Sequence, residues 1–220
     1  LLTEGMHGMI SQVEGLAKAL DIDFTHHKVE LNKFWKLIPP KFTPVSNFTF
    51  NSITTNDFDI IISCGRKSVI PSIYLKKNSK KKVHNIHIQD PKVSLNNFDF
   101  IITPEHDGLT GENVILSKGS IHYLTKEEIT NNHEYLSEKL NKEKKYLSLI
   151  LGGPNKYYDY NEKNLMKIFD KIKSILESNN LQAIIIPSMR TPKKIIDFTQ
   201  NYLGENNLVI KHVDKKAYLS

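Results

Sequence analysis

The segment from Tyr146 to Ser188 decides the fold class. It reads "YLSLILGG" (146–153), "NEKNLMKIFDKIKSILESNN" (161–180) and "LQAIIIPS" (181–188). The first and last pieces are short continuous apolar runs, which are typical of strands buried on both faces. The middle piece has apolar residues at helical spacing and predicts a helix whose buried face consists of Leu165, Ile168, Phe169, Ile172, Ile175 and Leu176. Strand, helix and strand in this order predict a parallel sheet covered by helices.

The same alternation fills the earlier part of the chain. Strands are predicted at "DFDIIISCG" (57–65), "VHNIHIQ" (83–89) and "FDFIIT" (98–103), and a charged surface helix or linker is predicted at 126–145. We therefore predict an α/β protein with two Rossmann-like lobes, residues 1–145 and residues 146–220. About three strands follow residue 146, which is few for a doubly wound lobe. We expect the second lobe to be incomplete, and the start at Leu1, inside a predicted strand, suggests a fragment.

Composition narrows the functional classes. The net charge of +6 comes mainly from lysine, and much of it lies in "KKNSKKK" (76–82). Aromatic residues do not alternate with this run, so we do not expect a nucleic-acid partner. The single cysteine, Cys64, excludes a disulfide framework, and we expect it to be a buried, inert residue in a reducing cytoplasm. The apolar runs are only strand-length, so we expect no membrane-spanning helix, and we expect no secretory leader.

Glycines and arginines follow several predicted strands. Gly5 and Gly8 lead into the first helix, Gly65 and Arg66 follow the strand at 57–65, and a third and fourth strand end carry Gly152 with Gly153 and Arg190 with Thr191. Glycine permits close backbone approach, and arginine beside a helix N-terminus suits a phosphate or carboxylate. Together they favour an anionic, nucleotide-like ligand. Each can also be a simple turn or cap.

Other catalytic and metal motifs do not occur in the sequence. It contains no Gly-x-Ser-x-Gly elbow, no phosphate loop with Gly-Lys-Ser/Thr and no His-Glu-x-x-His. His84 and His87 are three apart in a predicted strand and face opposite sides, so they make a poor metal pair. We expect no metal site.

The order of the motifs carries a family resemblance. The segments are "TEGMHGMISQVEGLAKAL" (3–20), "ISCGRKS" (62–68), "IQDPKVSLNNFDFIITPEHDGLTGENV" (88–114), "GSIHYLT" (119–125), "LGGPNKYY" (151–158) and "SMRTP" (188–192). This pattern resembles the mitochondrial-fission "elongated mitochondria" family, with a bacterial member favoured. The family's two-lobed pattern is similar to the GT-B fold of sugar-nucleotide glycosyltransferases.

The resemblance implies a set of site residues. Gly5, Gly8 and Gln12 match the family's first glycine turn, and Gly65 with Arg66 match its Gly-Arg strand end. The remaining matches are Gln89, Asp90, Glu105, His106, Asp107, Gly152, Gly153, Arg190 and Thr191. The family's later donor-binding segment is expected beyond Ser220.

The function implied by this resemblance is transfer of a sugar from a nucleotide-sugar donor. Asp107 or His106 would serve as the general base, with Glu105 as the alternative, because a positioned carboxylate or imidazole can take a proton from an acceptor hydroxyl. Arg190 and the turn at Gly152 and Gly153 would neutralise the leaving diphosphate. The nucleotide sugar would be a substrate, and no resident cofactor is expected.

A second hypothesis is an interaction or scaffold protein that keeps a transferase-like fold without catalysis. The residues alone leave open whether the chain is an enzyme. The expected partners are a nucleotide sugar or similar anionic ligand and a lipid-linked or membrane-surface acceptor. The expected location is the cytoplasm, peripheral to the inner membrane.

Overall fold

The computed structural model describes residues 1–53, 57–155, 157–158 and 160–220. The chain divides into two compact units, Leu1–Leu124 and Thr125–Ser220. Each unit has its own sheet, so the two are described separately.

Unit 1 is built on a six-stranded sheet in the order β2-β1-β3-β4-β5-β6. Every adjacent pair is parallel, which confirms the predicted α/β class. The strands are β1 (Leu2–Thr3), β2 (His27–Lys28), β3 (Ile60–Cys64), β4 (His84–Ile88), β5 (Phe100–Pro104) and β6 (Val114–Ser117). The main helices are α1 (His7–Ala19) and α2 (Val69–Asn78).

Helices cover both faces of this sheet, as continuous apolar strands require. On one face, Val13 and Ala17 of α1 pack against Ile62, Ile86 and Ile88. On the other face, α2 packs against β5 and the turn before it, through Val69, Ile70, Ile73, Phe98 and Ile101. Because side chains alternate along a strand, the polar residues Ser63, Asn85 and His87 point to the α2 face and are almost completely buried there.

Unit 2 is a parallel sheet in the order β7-β8-β9 with helices packed on it. Its elements are α3 (Lys126–Asn132), β7 (Lys145–Leu151), α4 (Glu162–Ser178), β8 (Leu181–Pro187), α5 (Lys193–Leu203), β9 (Leu208–Val209) and α6 (Lys215–Leu219). The core between the sheet and helices α4 and α5 is formed by Leu151, Leu165, Phe169, Leu176, Ala183, Ile185, Ile195, Leu203 and Val209. Two Rossmann-like lobes are therefore present.

The segment 126–145 differs from its prediction as one charged helix. Helix α3 ends at Asn132, and a short 3-10 turn follows at Ser137–Lys139. Leu136 is 1% exposed and packs against Ile184 and Ile186 of β8. A straight helix here would have few apolar anchors, whereas the turn lets Leu136 be buried. The segment, which the sequence placed with the first lobe, thus contributes to the core of unit 2.

The buried face of α4 is narrower than predicted. Leu165, Phe169 and Leu176 are buried, but Ile168 is 51% and Ile175 is 49% exposed. Phe169 stacks on Phe198 of α5, with ring centroids 5.9 Å apart. This contact fixes which side of α4 faces the core, and the two isoleucines lie outside that side.

Candidate functional site

The strand order of unit 1 locates its binding edge. After β1 the chain crosses to β2 on one side, and β3 then lies on the other side of β1. In open parallel sheets, such a switch leaves a crevice at the carboxyl ends of the two diverging strands, where ligands bind. The crevice lies between the ends of β1 and β3, where Gly5 and Gly65 follow the strands.

The two glycines at this crevice are required by the backbone. Gly5 has φ of +85° and Gly65 has φ of +92°, a region that other residues rarely adopt. A Cβ at Gly65 would also lie 2.6 Å from Sδ of Met9 in α1 and 3.4 Å from Oε1 of Glu4. The positive φ alone therefore explains why glycine occupies these two positions. Glycine here is also compatible with binding a ligand.

Gly8 and Gln12 lie in the first two turns of α1. A Cβ at Gly8 would have no atom within 4 Å, so the fold itself leaves room there. The amide of Gln12 donates to the carbonyl oxygen of Gly8 at 3.1 Å, and this side chain is 9% exposed. Helix α1 begins after Met6 without a side-chain cap. The space beside Gly8 is the part of the first turn that a ligand could enter.

An ion pair that no sequence motif indicates crosses the crevice. Oε1 of Glu4 accepts a hydrogen bond from the backbone N–H of Lys67 at 3.1 Å, and Oε2 lies 2.5 Å from Nζ of the same lysine. The pair joins the end of β1 to the turn after β3. Burial, with a smaller contribution from the charge of Glu4, raises the pKa of the nearby Cys64 thiol to about 12. Cys64 is fully buried and protonated, as expected for an inert cysteine.

Arg66 contacts its own chain. Its guanidinium donates to the carbonyl oxygen of Lys36, in the long loop between β2 and β3. The side chain was predicted to bind an anion, and part of its hydrogen-bonding capacity is instead used to tether this loop.

Gln89 and Asp90 follow β4 in a tight turn. Gln89 has φ of +86°, an unusual conformation for a residue other than glycine, and its N–H still donates to the carbonyl oxygen of Ile102 at 2.8 Å. Asp90 accepts from the backbone N–H of Lys92 at 2.8 Å and lies 2.5 Å from its Nζ. Partial burial raises the pKa of Asp90, but these bonds outweigh it and the pKa is lowered.

Glu105, His106 and Asp107 form a 3-10 turn directly after β5. The hydroxyl of Thr103, which is fully buried, donates to Oδ2 of Asp107 at 2.9 Å. Nε2 of His106 is 3.7 Å from Oδ1 of Asp107, too far for a hydrogen bond, and Glu105 and His106 are exposed. Asp107 is thus the oriented member of the three, with its side chain 37% exposed.

The turns after β4 and β5 form one polar cluster. Asp90, and to a smaller extent Asp107, raises the pKa of Lys92, so both carboxylates lie within electrostatic reach of that lysine. The predicted residues of unit 1 therefore follow β1, β3, β4 and β5 along a single edge of the sheet. A carboxylate held by Thr103 at this edge can accept a proton.

His87 lies beneath this edge and has a different environment from its neighbours. It is 1% exposed, and its Nδ1 is 2.8 Å from Oγ of Ser63 on β3. Burial lowers the pKa of His87 to about 3, against a weaker opposing effect of Asp90. The ring is therefore neutral. From the sequence, His87 was considered only as a metal candidate, and its burial follows from its facing α2.

The predicted residues of unit 2 also come together. A Cβ at Gly153 would lie 2.1 Å from the carbonyl oxygen and 2.5 Å from Cβ of Arg190, so the two turns touch through their backbones. The hydroxyl of Thr191 lies 2.8 Å from the carbonyl oxygen of Leu151 and 2.7 Å from that of Gly152. Thr191 thus ties the ends of β7 and β8 together, while Arg190 is exposed at this edge.

The helix that follows Arg190 has an open beginning. Helix α5 starts after Pro192 without a side-chain cap, whereas α4 is capped by Asn161, which accepts from the N–H of Asn164 at 2.9 Å. Amides at an uncapped helix start attract anions, and Arg190 adds a positive charge beside them.

Comparison with known proteins shows the family. The model of the mitochondrial fission ELM1 family matches residues 7–220. The chain belongs to this family. The expected family is thereby confirmed, and the match includes the turns after β3, β4, β5, β7 and β8.

Two relatives place this ELM1-family chain among longer proteins. It is 26% identical over 182 residues to uncharacterized protein RP120 of Rickettsia prowazekii (strain Madrid E), covering 69% of this chain and 51% of that protein. It is 23% identical over 171 residues to mitochondrial fission protein ELM1 of Arabidopsis thaliana, covering 67% of this chain and 40% of that protein. The chain thus spans about half or less of these relatives. No solved structure matches.

Two features are absent from the part of the chain that the structure describes. No helix among residues 1–53, 57–155, 157–158 and 160–220 combines the length and apolar character needed to cross a bilayer. The same residues contain no group of three or more histidine, cysteine, aspartate or glutamate side chains placed to hold a metal ion.

Proposed function

We propose that this ELM1-family chain belongs to a GT-B-like glycosyltransferase that uses a nucleoside-diphosphate sugar as donor. The observation that carries the proposal is the contact of Gly153 with the backbone of Arg190, at the carboxyl ends of β7 and β8. This contact fixes the backbone of Arg190, an exposed residue just before the uncapped start of α5. A diphosphate needs such donors most when it leaves with its developing charge.

The second role belongs to unit 1. Asp107, held by Thr103, would take the proton from an acceptor hydroxyl while the hydroxyl oxygen bonds to the anomeric carbon of the sugar. The bond from that carbon to the diphosphate breaks, and the nucleoside diphosphate carries away the electron pair. His106 and Glu105, exposed residues of the same turn, are the alternatives for the base. The role of Asp107 is argued from contacts within unit 1, and that of Arg190 from contacts within unit 2.

The first expected result concerns donor binding. The wild-type protein is stabilised against heat by at least one sugar conjugate of UDP, GDP, ADP or dTDP, and Arg190→Ala weakens this binding. The loss of a charge-assisted contact costs about 1.5–3 kcal/mol, or roughly 10- to 150-fold in Kd. Isothermal titration measures the change.

Lys163→Ala is the matched control for Arg190→Ala. Lys163 is an exposed cation in the first turn of α4, which already has its cap, so this variant should bind as wild type does. A folded protein that no nucleotide sugar stabilises contradicts the transferase. That result would favour the second hypothesis, a non-catalytic interaction protein. The support for this hypothesis is the name of the Arabidopsis relative, mitochondrial fission protein ELM1.

The second expected result separates chemistry from binding. Asp107→Asn keeps the acceptor oxygen for Thr103 but cannot take a proton, so release of nucleoside diphosphate should fall at least about 100-fold. Kd for the donor should stay unchanged. His106→Gln and Glu105→Gln are the parallel variants, and a larger loss in either one moves the base role to that residue.

A further inference from the structure

The loop between β2 and β3 has a composition unlike the rest of the surface. Residues 31–50, here called the aromatic loop, read "LNKFWKLIPPKFTPVSNFTF" and contain four phenylalanines, the only tryptophan of the chain and three lysines, Lys33, Lys36 and Lys41. They contain no aspartate or glutamate. This combination of large apolar side chains and positive charge is concentrated in one segment.

The large apolar side chains of the aromatic loop point outward. Leu37 is 81%, Phe42 70%, Phe34 64% and Phe48 57% exposed. The ring of Trp35 joins two of them, with centroids 4.9 Å from Phe34 and 6.0 Å from Phe48. These contacts join Phe34, Trp35 and Phe48 into one apolar surface, which is costly in water and marks an interaction site.

The backbone of the aromatic loop is held, so the exposure is built into the fold. Leu31 and Phe50 pair across its base and are buried. The N–H of Asn32 donates to the carbonyl oxygen of Thr49 at 2.9 Å, and Arg66 donates to that of Lys36. The aromatic loop is thus anchored at its base and from the side, with three of its phenylalanines exposed.

We propose that the aromatic loop docks unit 1 onto the surface of an anionic lipid bilayer. Aromatic and leucine side chains enter the region of the headgroups, and lysines gain from the negative surface potential. Charge complementarity favours lipid over a second copy of the chain, because the loop offers no acidic residue to a partner's lysines. Glu30, at its margin, is already paired with Lys28 at 2.9 Å.

Docking through the aromatic loop has a consequence for the binding edge. Arg66 follows β3 at the carboxyl edge of the sheet and holds the loop at Lys36. A bilayer bound by the loop would therefore lie beside that edge of unit 1. The docking does not depend on transferase activity, and its test uses no nucleotide sugar.

Trp35 supplies a native probe for the test. Because it is the only tryptophan, its fluorescence reports the aromatic loop alone. With vesicles of phosphatidylcholine and phosphatidylglycerol the emission should shift to shorter wavelength and be quenched by brominated acyl chains. Vesicles of phosphatidylcholine alone should bind more weakly, and salt should weaken binding to the anionic ones.

Variants separate the apolar and the charged contributions, with binding measured by co-sedimentation. Leu37→Ser with Phe42→Ser should weaken partitioning about tenfold or more, since two exposed apolar side chains no longer enter the lipid. Replacing Lys33, Lys36 and Lys41 by glutamine should weaken it about 100-fold at low salt. The control replaces Lys77, Lys80 and Lys82, three exposed lysines elsewhere on unit 1, by glutamine and should retain most of the binding.

Three outcomes would overturn the docking. The first is unchanged Trp35 emission with anionic vesicles. The second is an equal loss of binding in the two triple-lysine variants, which would mean that net charge alone, and not the aromatic loop, causes binding. The third is a concentration-dependent dimer in analytical ultracentrifugation that Leu37→Ser with Phe42→Ser abolishes, which would make a second copy the occupant.

Discussion

Gly153→Ala is expected to destabilise unit 2 by about 2–5 kcal/mol, because overpacking and lost hydrogen bonds add. The new Cβ would lie 2.1 Å from the carbonyl oxygen of Arg190, which belongs to the backbone and cannot rotate away. The turns after β7 and β8 must separate. The single hydroxyl proton of Thr191, which the carbonyl oxygens of Leu151 and Gly152 share, then loses one or both of these contacts.

Gly152→Ala is the matched control for this change. A Cβ at Gly152 has no atom within 4 Å, and its φ is outside the left-handed region. This variant should be neutral or more stable by up to about 1 kcal/mol, since alanine restricts the unfolded chain. Hydrogen exchange in increasing urea, followed on peptides covering 145–151 and 181–187, measures the stability of unit 2 in both variants. Equal protection in the two variants would show that the close approach is not part of the folded protein.

If Gly153→Ala also weakens donor binding while Gly152→Ala does not, the backbone contact serves the proposed diphosphate site. The contact then has two effects with one cause: it closes the sheet edge and it sets the position of Arg190. Loss of stability without loss of donor binding would confine it to the first effect.

The fold was predictable because its strands are buried on both faces. Runs such as 60–64 and 181–187 cannot be stable in water, and the helical spacing between strands leaves a parallel sheet as the consistent solution. The rule that carboxyl ends share an edge also brought Gly65, Asp90 and Asp107 to one side. The strand order, and with it the crevice between β1 and β3, depends on crossovers that no local pattern records.

The parts that could not be predicted depend on contacts between distant residues. The ion pair of Glu4 with Lys67 and the hydrogen bond from Arg66 to the carbonyl oxygen of Lys36 are examples. Both depend on how the fold positions β1, β3 and the aromatic loop. Helix α3 is short because Leu136 is buried against β8, which overrides the helical pattern of 126–145. Glutamine disfavours a positive φ, so the conformation of Gln89 arises from the turn that connects β4 to β5.

The second large effect is a loss of stability in mild acid that originates at His87. Its pKa is about 3 in the folded protein and near 6.5 when unfolded. Between these values the unfolded chain binds a proton that the folded chain does not, so the free energy of unfolding falls as pH falls. From about pH 7.5 to about pH 4.5, His87 alone should cost about 3 kcal/mol. Asp90, whose pKa is also lowered, adds a loss of the same sign at lower pH.

His87→Gln should flatten this dependence, and His84→Gln is its control. Glutamine does not titrate and can still bond to Ser63, so the variant starts less stable but loses less on acidification. His84 lies on the same strand and is exposed, so His84→Gln controls for the loss of a histidine that is not buried. Urea unfolding at a series of pH values, followed by Trp35 emission, gives the slopes for unit 1. A wild-type slope in His87→Gln would mean that water reaches the ring and that β4 opens at the carboxyl edge. In that case the polar cluster of Asp90 and Asp107 would rest on a movable strand end.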